Sequence, residues 1–263
     1  RNPGAMGGLR AHQAAFVAVF AALVKGGAHI IQGALMIRVF IGFDPREAAA
    51  YNVLAYSIVR RSSRPVAIAP LMLNQLNDVF RRERHSLQSS DFSFSRFLVP
   101  LLCGFEGWAL FMDCDMLMLD DIARLWDLRD DRYAVQVVKH SHVPKETIKF
   151  LGQPQTTYEK KNWSSVMLFN CARCKALTED FVNTASGLEL HRFQWLGDDK
   201  LIGELPHRWN HLVDYDPPAP VAELSNIHFT IGGPYFDDYK SCGYADLWFA
   251  ERDRMLHAEQ KKK

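Results

Sequence analysis

The stretch FMDCDMLML, residues 111–119, places Asp113 and Asp115 one residue apart within an otherwise apolar run. A buried carboxylate is costly unless it has a partner. Residues two apart in an extended strand point to the same side, so both carboxylates can face one point. Hard oxygen ligands suit Mg²⁺ or Mn²⁺, and phosphate oxygens commonly supply part of the remaining shell. The stretch therefore predicts a buried strand whose two aspartates bind a divalent cation.

A second interpretation is that the strand ends near Met112 and that the two aspartates lie in a solvated turn. The apolar sequence LML resumes at 117–119 and leaves no polar turn for them to occupy. We therefore favour the strand.

Strand-like and helical patterns alternate on both sides of this stretch. The N-terminal side predicts a strand at 37–43, a helix at 46–61, a strand at 65–71 and a helix at 91–105 interrupted or bent near Pro100. The C-terminal side predicts a short helix at 120–128, strands at 133–140 and 164–170, and a helical stretch at 179–193. This alternation predicts an α/β fold with a mostly parallel sheet in a single domain.

Composition narrows the class of protein. The chain has 263 residues, 48% of them hydrophobic, which is typical of one globular domain with a sizeable core. Its 31 basic and 30 acidic residues argue against a broad nucleic-acid surface. Five cysteines do not resemble a disulfide framework, and the Cys171–Cys174 pair has no second pair at zinc spacing. We therefore expect a reducing, cytoplasmic setting and no cysteine-based zinc site.

The predicted domain spans residues 36–255, because a strand pattern follows Met36 at once. Residues 1–35 are expected to be an extension, helical or disordered, since their apolar run at 14–24 is too short to span a bilayer. Residues 256–263 form a basic tail, and RRERH at 81–85 is expected to be solvated. Such basic segments are able to rest on an anionic membrane surface, which predicts a peripheral contact at the inner face.

The sequence DPRE at 44–47 is a helix start, with Asp44 as N-cap and Pro45 at the first helical position. A helix N-terminus at the carboxyl end of the first strand of an α/β sheet is also where nucleotides tend to bind. Asp44, Arg46 and Tyr51 are therefore candidate nucleotide-binding residues.

Beyond these local patterns, the chain resembles a known family over residues 36–236. The matching segments are VFIGFDPREAAAY, FSRFLVPLL, FMDCD, SSVMLFN, GDDKLIGELPHRWN and IHFTIGGPYF, in this order. Together they resemble the nucleotide-sugar glycosyltransferases of the GT-A fold, and among them the retaining family 8, which includes bacterial lipopolysaccharide glycosyltransferases and glycogenin. The resemblance implies a GT-A type, Rossmann-like mixed sheet flanked by helices.

The resemblance also implies a metal site for Mn²⁺ or Mg²⁺. Asp113 would contact the ribose of the nucleotide and the metal, Asp115 would bind the metal, and His228 would complete the protein's share of the shell. A lone histidine on an apolar strand is otherwise more often a core residue. The assignment of His228 as a metal ligand therefore rests on its position among the segments that match the family.

Three further residues match the family's catalytic positions. Arg96 matches the arginine that reaches the donor near the diphosphate or sugar, and its alternative is a surface arginine paired with Asp91. Asp198 and Asp199 match the pair that contacts donor sugar and acceptor near the reacting carbon. The resemblance therefore implies transfer of a hexose from a UDP-sugar to a hydroxyl of a glycan or lipid-linked acceptor. Retention would follow from front-face attack or from a covalent intermediate on Asp199.

This sequence departs from the family at three points. Residues 163–165 are Trp-Ser-Ser where the family has Asn-Ala-Gly, and Asp199 replaces a glutamine. The late lysine that would hold the diphosphate is absent, because no basic residue follows His228 until Lys240. The backbone amides of Gly232 and Gly233 are candidates to replace it, since glycine permits close approach of phosphate.

Two other functions remain open. In a haloacid-dehalogenase-like, Mg²⁺-dependent phosphatase, Asp113 would be the nucleophile and Asp115 the acid and base. That motif normally ends the first strand and is followed by small residues, whereas here two strands precede it and Met116 follows it. The third function is a non-catalytic protein that binds sugar nucleotides.

Overall fold

The structure is a computed structural model that describes residues 36–84, 88–141, 150–153 and 158–257. The predicted extension at 1–35 and residues 258–263 of the basic tail lie outside the described residues. The predicted domain limits therefore stay predictions.

Six strands of the described chain form a mixed sheet in the order β2-β1-β3-β6-β5-β7. Among the described residues the strands are β1 Ile37–Gly42, β2 Val66–Leu71, β3 Trp108–Met112, β4 Met116–Met118, β5 Val135–Val137, β6 Val166–Asn170, β7 Ile202–Glu204, β8 His211–Leu212 and β9 Asn226–His228. β1 pairs in parallel with β2 and β3, and β5 with β7, whereas β6 is antiparallel to both β3 and β5. The predicted α/β class is confirmed, and the sheet is mixed because β6 runs against its neighbours.

The helices of the described residues include shorter forms of the predicted ones, and the last helix was not predicted from the sequence. They are α1 Ala48–Arg61, α2 Val99–Leu102, α3 Ile122–Trp126, α4 Glu179–Thr184, α5 Gly187–His191 and α6 Ala245–Met255. The predicted interruption near Pro100 is present, because a 3-10 helix at Ser95–Leu98 precedes α2. The stretch at 179–193 divides in two, since Ser186 and Glu189 form a capping box that starts a new helix. Among the described residues, no helix has both the length and the apolar character needed to cross a bilayer.

The prediction of one strand through the aspartate pair is wrong. β3 ends at Met112 and the chain bends through 113–115 before β4 begins at Met116. β4 belongs to a second sheet, which has the order β4-β9-β8. The alternative is right that the strand ends at Met112, but the turn is not solvated, since Asp113 and Asp115 are only 9% and 7% exposed. The pair therefore lies in a buried bend between two sheets.

The core explains why the bend lies deep in the molecule. β3 and β6 are central strands, and every residue of β6 is buried. Helix α1 covers one side of the sheets with Val53, Leu54 and Ile58, which are fully buried. A central strand ends inside the protein, so the residues that follow β3 begin at a buried position beside the carboxyl end of β1.

Candidate active site

Asp113, Asp115 and His228 come together at the bend. Each offers a ligand atom, and these atoms all lie within 4.8 Å of one another. Strand β9 pairs with β4 so that His228 lies opposite Met116, and Phe229 N–H donates to Asp115 O at 2.8 Å. The Nε2 atom of His228 is then 3.2 Å from Asp115 Oδ1. Two carboxylates and an imidazole fit a divalent cation such as Mn²⁺ by donor type and by spacing.

Asn210 orients the imidazole of His228, and the sequence reasoning did not identify it. Its amide nitrogen donates to Ser165 Oγ at 2.8 Å, so its oxygen faces His228 Nδ1 at 3.0 Å. Nδ1 therefore faces an acceptor, and Nε2 is the ring nitrogen that faces Asp115. Asn210 is fully buried and lies in the segment GDDKLIGELPHRWN, which was the one indication available in the sequence.

Arg96 is a buried partner of the aspartate pair. Its guanidinium NH1 is 2.8 Å from Asp113 Oδ1 and donates to Ser164 O at 2.9 Å. The alternative of a surface arginine paired with Asp91 is wrong, because Arg96 is 5% exposed and Asp91 pairs with Arg84 at 3.0 Å. Arg96 thus balances the negative charge of Asp113 and holds the backbone of Ser164, which lies just before β6.

A cavity of about 560 Å³ opens over this cluster. Its volume lies within the range of small-molecule sites. Asp113, Asp115 and His228 line it together with Arg96, and other lining residues are Glu47, Arg82, Tyr158, Lys161 and His191.

Two cations of the cavity wall were not assigned a role from the sequence. Lys161 is 9% exposed, and its ammonium nitrogen lies 4.8 Å from the centroid of the Tyr158 ring. Arg82 donates to the carbonyls of Val182 and Ala185 at 2.8 and 2.6 Å, and burial lowers its pKa. The prediction that the charges at 81–85 are solvated is therefore wrong for Arg82. With Arg96, these side chains place positive charge in the lining of the cavity, where an anionic ligand could bind.

A serine and a histidine pair beside Arg96. Ser164 Oγ and His191 Nδ1 are 2.8 Å apart. Burial, followed by the charges of Arg96 and Lys161, holds the pKa of His191 well below its usual value. His191 is thus a neutral imidazole at pH 7 that holds the Ser164 hydroxyl in place. Its location on α5 gave no indication of this role, whereas Ser164 was noted only as a departure from the family.

In the segment DPRE at 44–47, Glu47 lines the cavity, whereas Asp44 caps the 3-10 helix Pro45–Glu47. Asp44 is 1% exposed and accepts from Arg46 N–H at 3.0 Å, from Arg46 Nε at 2.9 Å and from Asp91 N–H at 3.1 Å. Burial raises the pKa of Asp44, but the Arg46 contacts outweigh it and the net shift is downward. Tyr51 packs edge-on against Phe43 with ring centroids 5.4 Å apart. A nucleotide-binding role for Asp44, Arg46 and Tyr51 stays a prediction.

Asp198 and Asp199 lie apart from the aspartate pair. Both are exposed, and they line a second cavity of about 320 Å³. Asp199 pairs with Lys160 Nζ at 2.5 Å, and Asp198 caps the 3-10 helix Asp199–Leu201 by accepting from Lys200 N–H. The structure thus does not bring them to the cavity that Asp115 lines, and their catalytic role stays a prediction.

Gly232 and Gly233 are needed for packing. A Cβ atom on Gly232 would lie 2.7 Å from the Tyr239 ring, and one on Gly233 would lie 2.2 Å from the Tyr235 ring. Tyr235 in turn donates its hydroxyl to Glu47 at 2.8 Å. Both glycines therefore permit close tyrosine contacts, and phosphate binding by their amides stays a prediction.

Comparison with known proteins gives one relative in sequence. Protein CDI from Arabidopsis thaliana is 47% identical over 232 residues, which cover 86% of this chain and 89% of that protein. No family model matches the chain.

Solved structures with a similar fold are glycosyltransferases. The bifunctional glycosyltransferase WbbM has a TM-score of 0.57 and 16% sequence identity, with 90% of this chain covered. The glycosyltransferase GlyE from Streptococcus pneumoniae TIGR4 has a TM-score of 0.57 and 13% sequence identity, with 87% of this chain covered. This chain spans 54% of the WbbM chain and 64% of the GlyE chain. The galactosyltransferase LgtC, solved with donor and acceptor sugar analogues, has a TM-score of 0.51 at 13% identity, with 83% of this chain and 96% of that one covered. The fold of this chain is the GT-A fold.

Proposed function

The chain belongs to the family of Protein CDI, and from its GT-A fold and its cavity we propose that it is a metal-dependent glycosyltransferase that uses a nucleotide-sugar donor. The observation that supports this most is the convergence of Asp113, Asp115 and His228 on one point of a cavity in such a fold. Their donor set suits Mn²⁺ or Mg²⁺. A cation held there would neutralise the diphosphate of the donor and help it to leave.

The cavity wall supports binding of a diphosphate. The cavity that Asp113 and Asp115 line also contains Arg96, Lys161 and Arg82. The attraction between these cations and a bound anion is stronger where water is partly excluded. They would supply the positive charge that the missing late lysine leaves out. We propose that the donor is a UDP-sugar, as the family 8 resemblance implies, with Asp113 beside the ribose.

The transfer we propose moves a hexose to a hydroxyl of a glycan or lipid-linked acceptor, with retention. Ser164, whose hydroxyl pairs with His191 Nδ1, lines the cavity and is available to hydrogen-bond a sugar or acceptor hydroxyl. The roles of Asp198 and Asp199 at the reacting carbon would require their segment to move toward the cavity. A lipid-linked acceptor would agree with a peripheral contact at the inner face of the membrane.

The phosphatase alternative is not favoured by the order of strands. The nucleophile of that class follows the first strand, whereas Asp113 follows β3, and the residues after Asp115 are Met116 and Leu117, both fully buried in β4. A non-catalytic protein that binds sugar nucleotides would retain the cation site without transfer, and the experiment below separates it from an enzyme.

The test is a calorimetric titration of UDP into the full chain with Mn²⁺, repeated with EDTA, in the wild type and in Asp115→Asn. We expect binding that requires Mn²⁺ and that is at least about tenfold weaker in Asp115→Asn, because a metal ligand is lost. Asp238→Asn, an exposed aspartate outside the cavity, is the matched control and should bind as the wild type does. Equal UDP affinity with and without metal would refute the proposal.

Where UDP binds, release of UDP from UDP-hexoses separates an enzyme from a binding protein. An enzyme releases UDP with Mn²⁺ and faster with an acceptor sugar. Tight UDP binding without release from any UDP-hexose would support the non-catalytic alternative.

A further inference from the structure

Three side chains outside the proposed active site form a second cluster of metal-ligating groups. They are His140, which follows β5, His207 in the 3-10 helix His207–Trp209, and Asp216, which follows β8. Their ligand atoms all lie within 4.8 Å of one another. We propose that this cluster is a zinc site that ties these three segments together. This proposal does not depend on the proposed glycosyltransferase activity.

The geometry is near that of a tetrahedral site. The Nε2 atom of His207 lies 3.2 Å from Asp216 Oδ2, and the rings of His140 and His207 have centroids 5.3 Å apart with planes at 76°. Ligand atoms of a tetrahedral Zn²⁺ with bonds of about 2.0 to 2.1 Å are separated by about 3.3 Å. Small side-chain movements of the kind that metal binding produces would therefore bring all three atoms to the ion.

The carboxylate is already held in place. Leu212 N–H donates to Asp216 Oδ2 at 2.6 Å, and His211 Nδ1 lies 3.7 Å from the same oxygen. Supporting contacts of this kind fix a metal ligand before the ion arrives. His140 is 7% exposed whereas the side chain of His207 is 54% exposed, so the cluster has a protein side and an entry from solvent.

The donor types favour zinc over the cation proposed for the active site. Two imidazoles and one carboxylate suit Zn²⁺, while sites for Mg²⁺ are built mainly from oxygen ligands. Three protein ligands leave a fourth position for water, which agrees with the exposure of His207.

The proposed zinc ligands lie on segments that also support the proposed active site. The carbonyl of His140 accepts from Trp163 Nε1 at 2.8 Å, next to Ser164 of the cavity wall. The helix that begins at His207 ends at Trp209, directly before Asn210, which orients His228. Bound zinc would therefore fix two segments that support the cavity.

The experiment is a titration of Co²⁺, a coloured substitute for zinc, into EDTA-treated full chain. A parallel sample is loaded with Zn²⁺ and dialysed, and mass spectrometry counts the zinc bound per chain. It is carried out in an Asp115→Asn background so that the active-site cluster does not contribute. We expect one tightly bound ion per chain with the visible absorption of a four-coordinate cobalt site. In the same background His207→Gln should lose this ion and its absorption.

His257→Gln, which removes an exposed histidine near the end of α6, is the matched control and should keep the ion. Asp216→Asn is the second variant and should also lose it, and circular dichroism confirms that each variant is folded. No tight ion in the Asp115→Asn background, or equal binding in His207→Gln and His257→Gln, would overturn the proposal. UDP binding is measured separately, so a failure here leaves the proposed function unaffected.

Discussion

At the scale of single residues, the aspartate pair is buried because each carboxylate has a cationic or polar partner. Arg96 reaches Asp113 at 2.8 Å, and His228 reaches Asp115 at 3.2 Å. A buried charge without such a partner would destabilise the fold by several kcal/mol. The same partners make the pair suitable for a cation, since they hold the oxygens at one point.

Asn210 supplies a test at this scale. We predict that Asn210→Ala weakens Mn²⁺ binding by about 10- to 100-fold, because His228 loses the hydrogen bond that sets its tautomer and ring orientation. The affinity is measured by calorimetry without nucleotide. Asn52→Ala, which changes an exposed asparagine on α1, should leave the affinity unchanged. Equal Mn²⁺ affinity in Asn210→Ala and wild type would show that Asn210 does not position the histidine.

At the scale of elements, Glu251 joins the C-terminal helix α6 to the end of α1. Its side chain is 3% exposed and accepts from Arg60 Nε and Arg61 NH1, each at 2.8 Å. Burial raises the pKa of Glu251, but the hydrogen bonds from Arg61 and Arg60 outweigh it and lower the value to about 2. The ionised carboxylate is therefore favoured in the folded protein.

This pairing predicts a stability that depends on pH. The folded pKa of about 2 lies below the ordinary value of 4.5, so the contribution is present above pH 4.5 and is lost as the pH falls toward 2. We expect Glu251→Gln to lower the free energy of unfolding by about 3 kcal/mol at pH 7, with a smaller difference at pH 3. Urea denaturation at both pH values measures this, with exposed Glu223→Gln as the control. A difference independent of pH would contradict an electrostatic cause.

At the scale of the whole molecule, the cation cluster lies where the two sheets meet. Asp113 follows β3 of the six-stranded sheet, whereas Asp115 precedes β4 and His228 ends β9 of the second sheet. A cation bound by all three would therefore bridge the sheets and stabilise the folded state over the unfolded one.

We predict that Mn²⁺ at roughly 100 times its dissociation constant adds about 2.7 kcal/mol to the free energy of unfolding. For a chain of this size that corresponds to a rise in Tm of about 5 to 10 °C. EDTA should reverse the rise, and Asp115→Asn should abolish it. Differential scanning calorimetry is the measurement, and a rise of the same size in Asp115→Asn would place the stabilising ion elsewhere.

The sequence by itself determined the elements with strong local patterns. The first strand, the helix that starts after Asp44 and the helix interrupted near Pro100 follow from periodicity, capping and proline geometry, which act within a few residues. The α/β class followed from their order. The aspartate pair could also be identified from sequence, because two charges in an apolar run need a partner wherever the chain places them.

Only the tertiary structure decided the partners. Strand pairing between β4 and β9 places His228 beside Asp115, and the buried bend replaces the predicted strand. Lys161 and His191 reach the cavity from distant segments, whereas Asp198 lies at another cavity. The physical reason is that hydrogen-bonded pairing and side-chain packing act across long separations in the chain, where periodicity and capping provide no information.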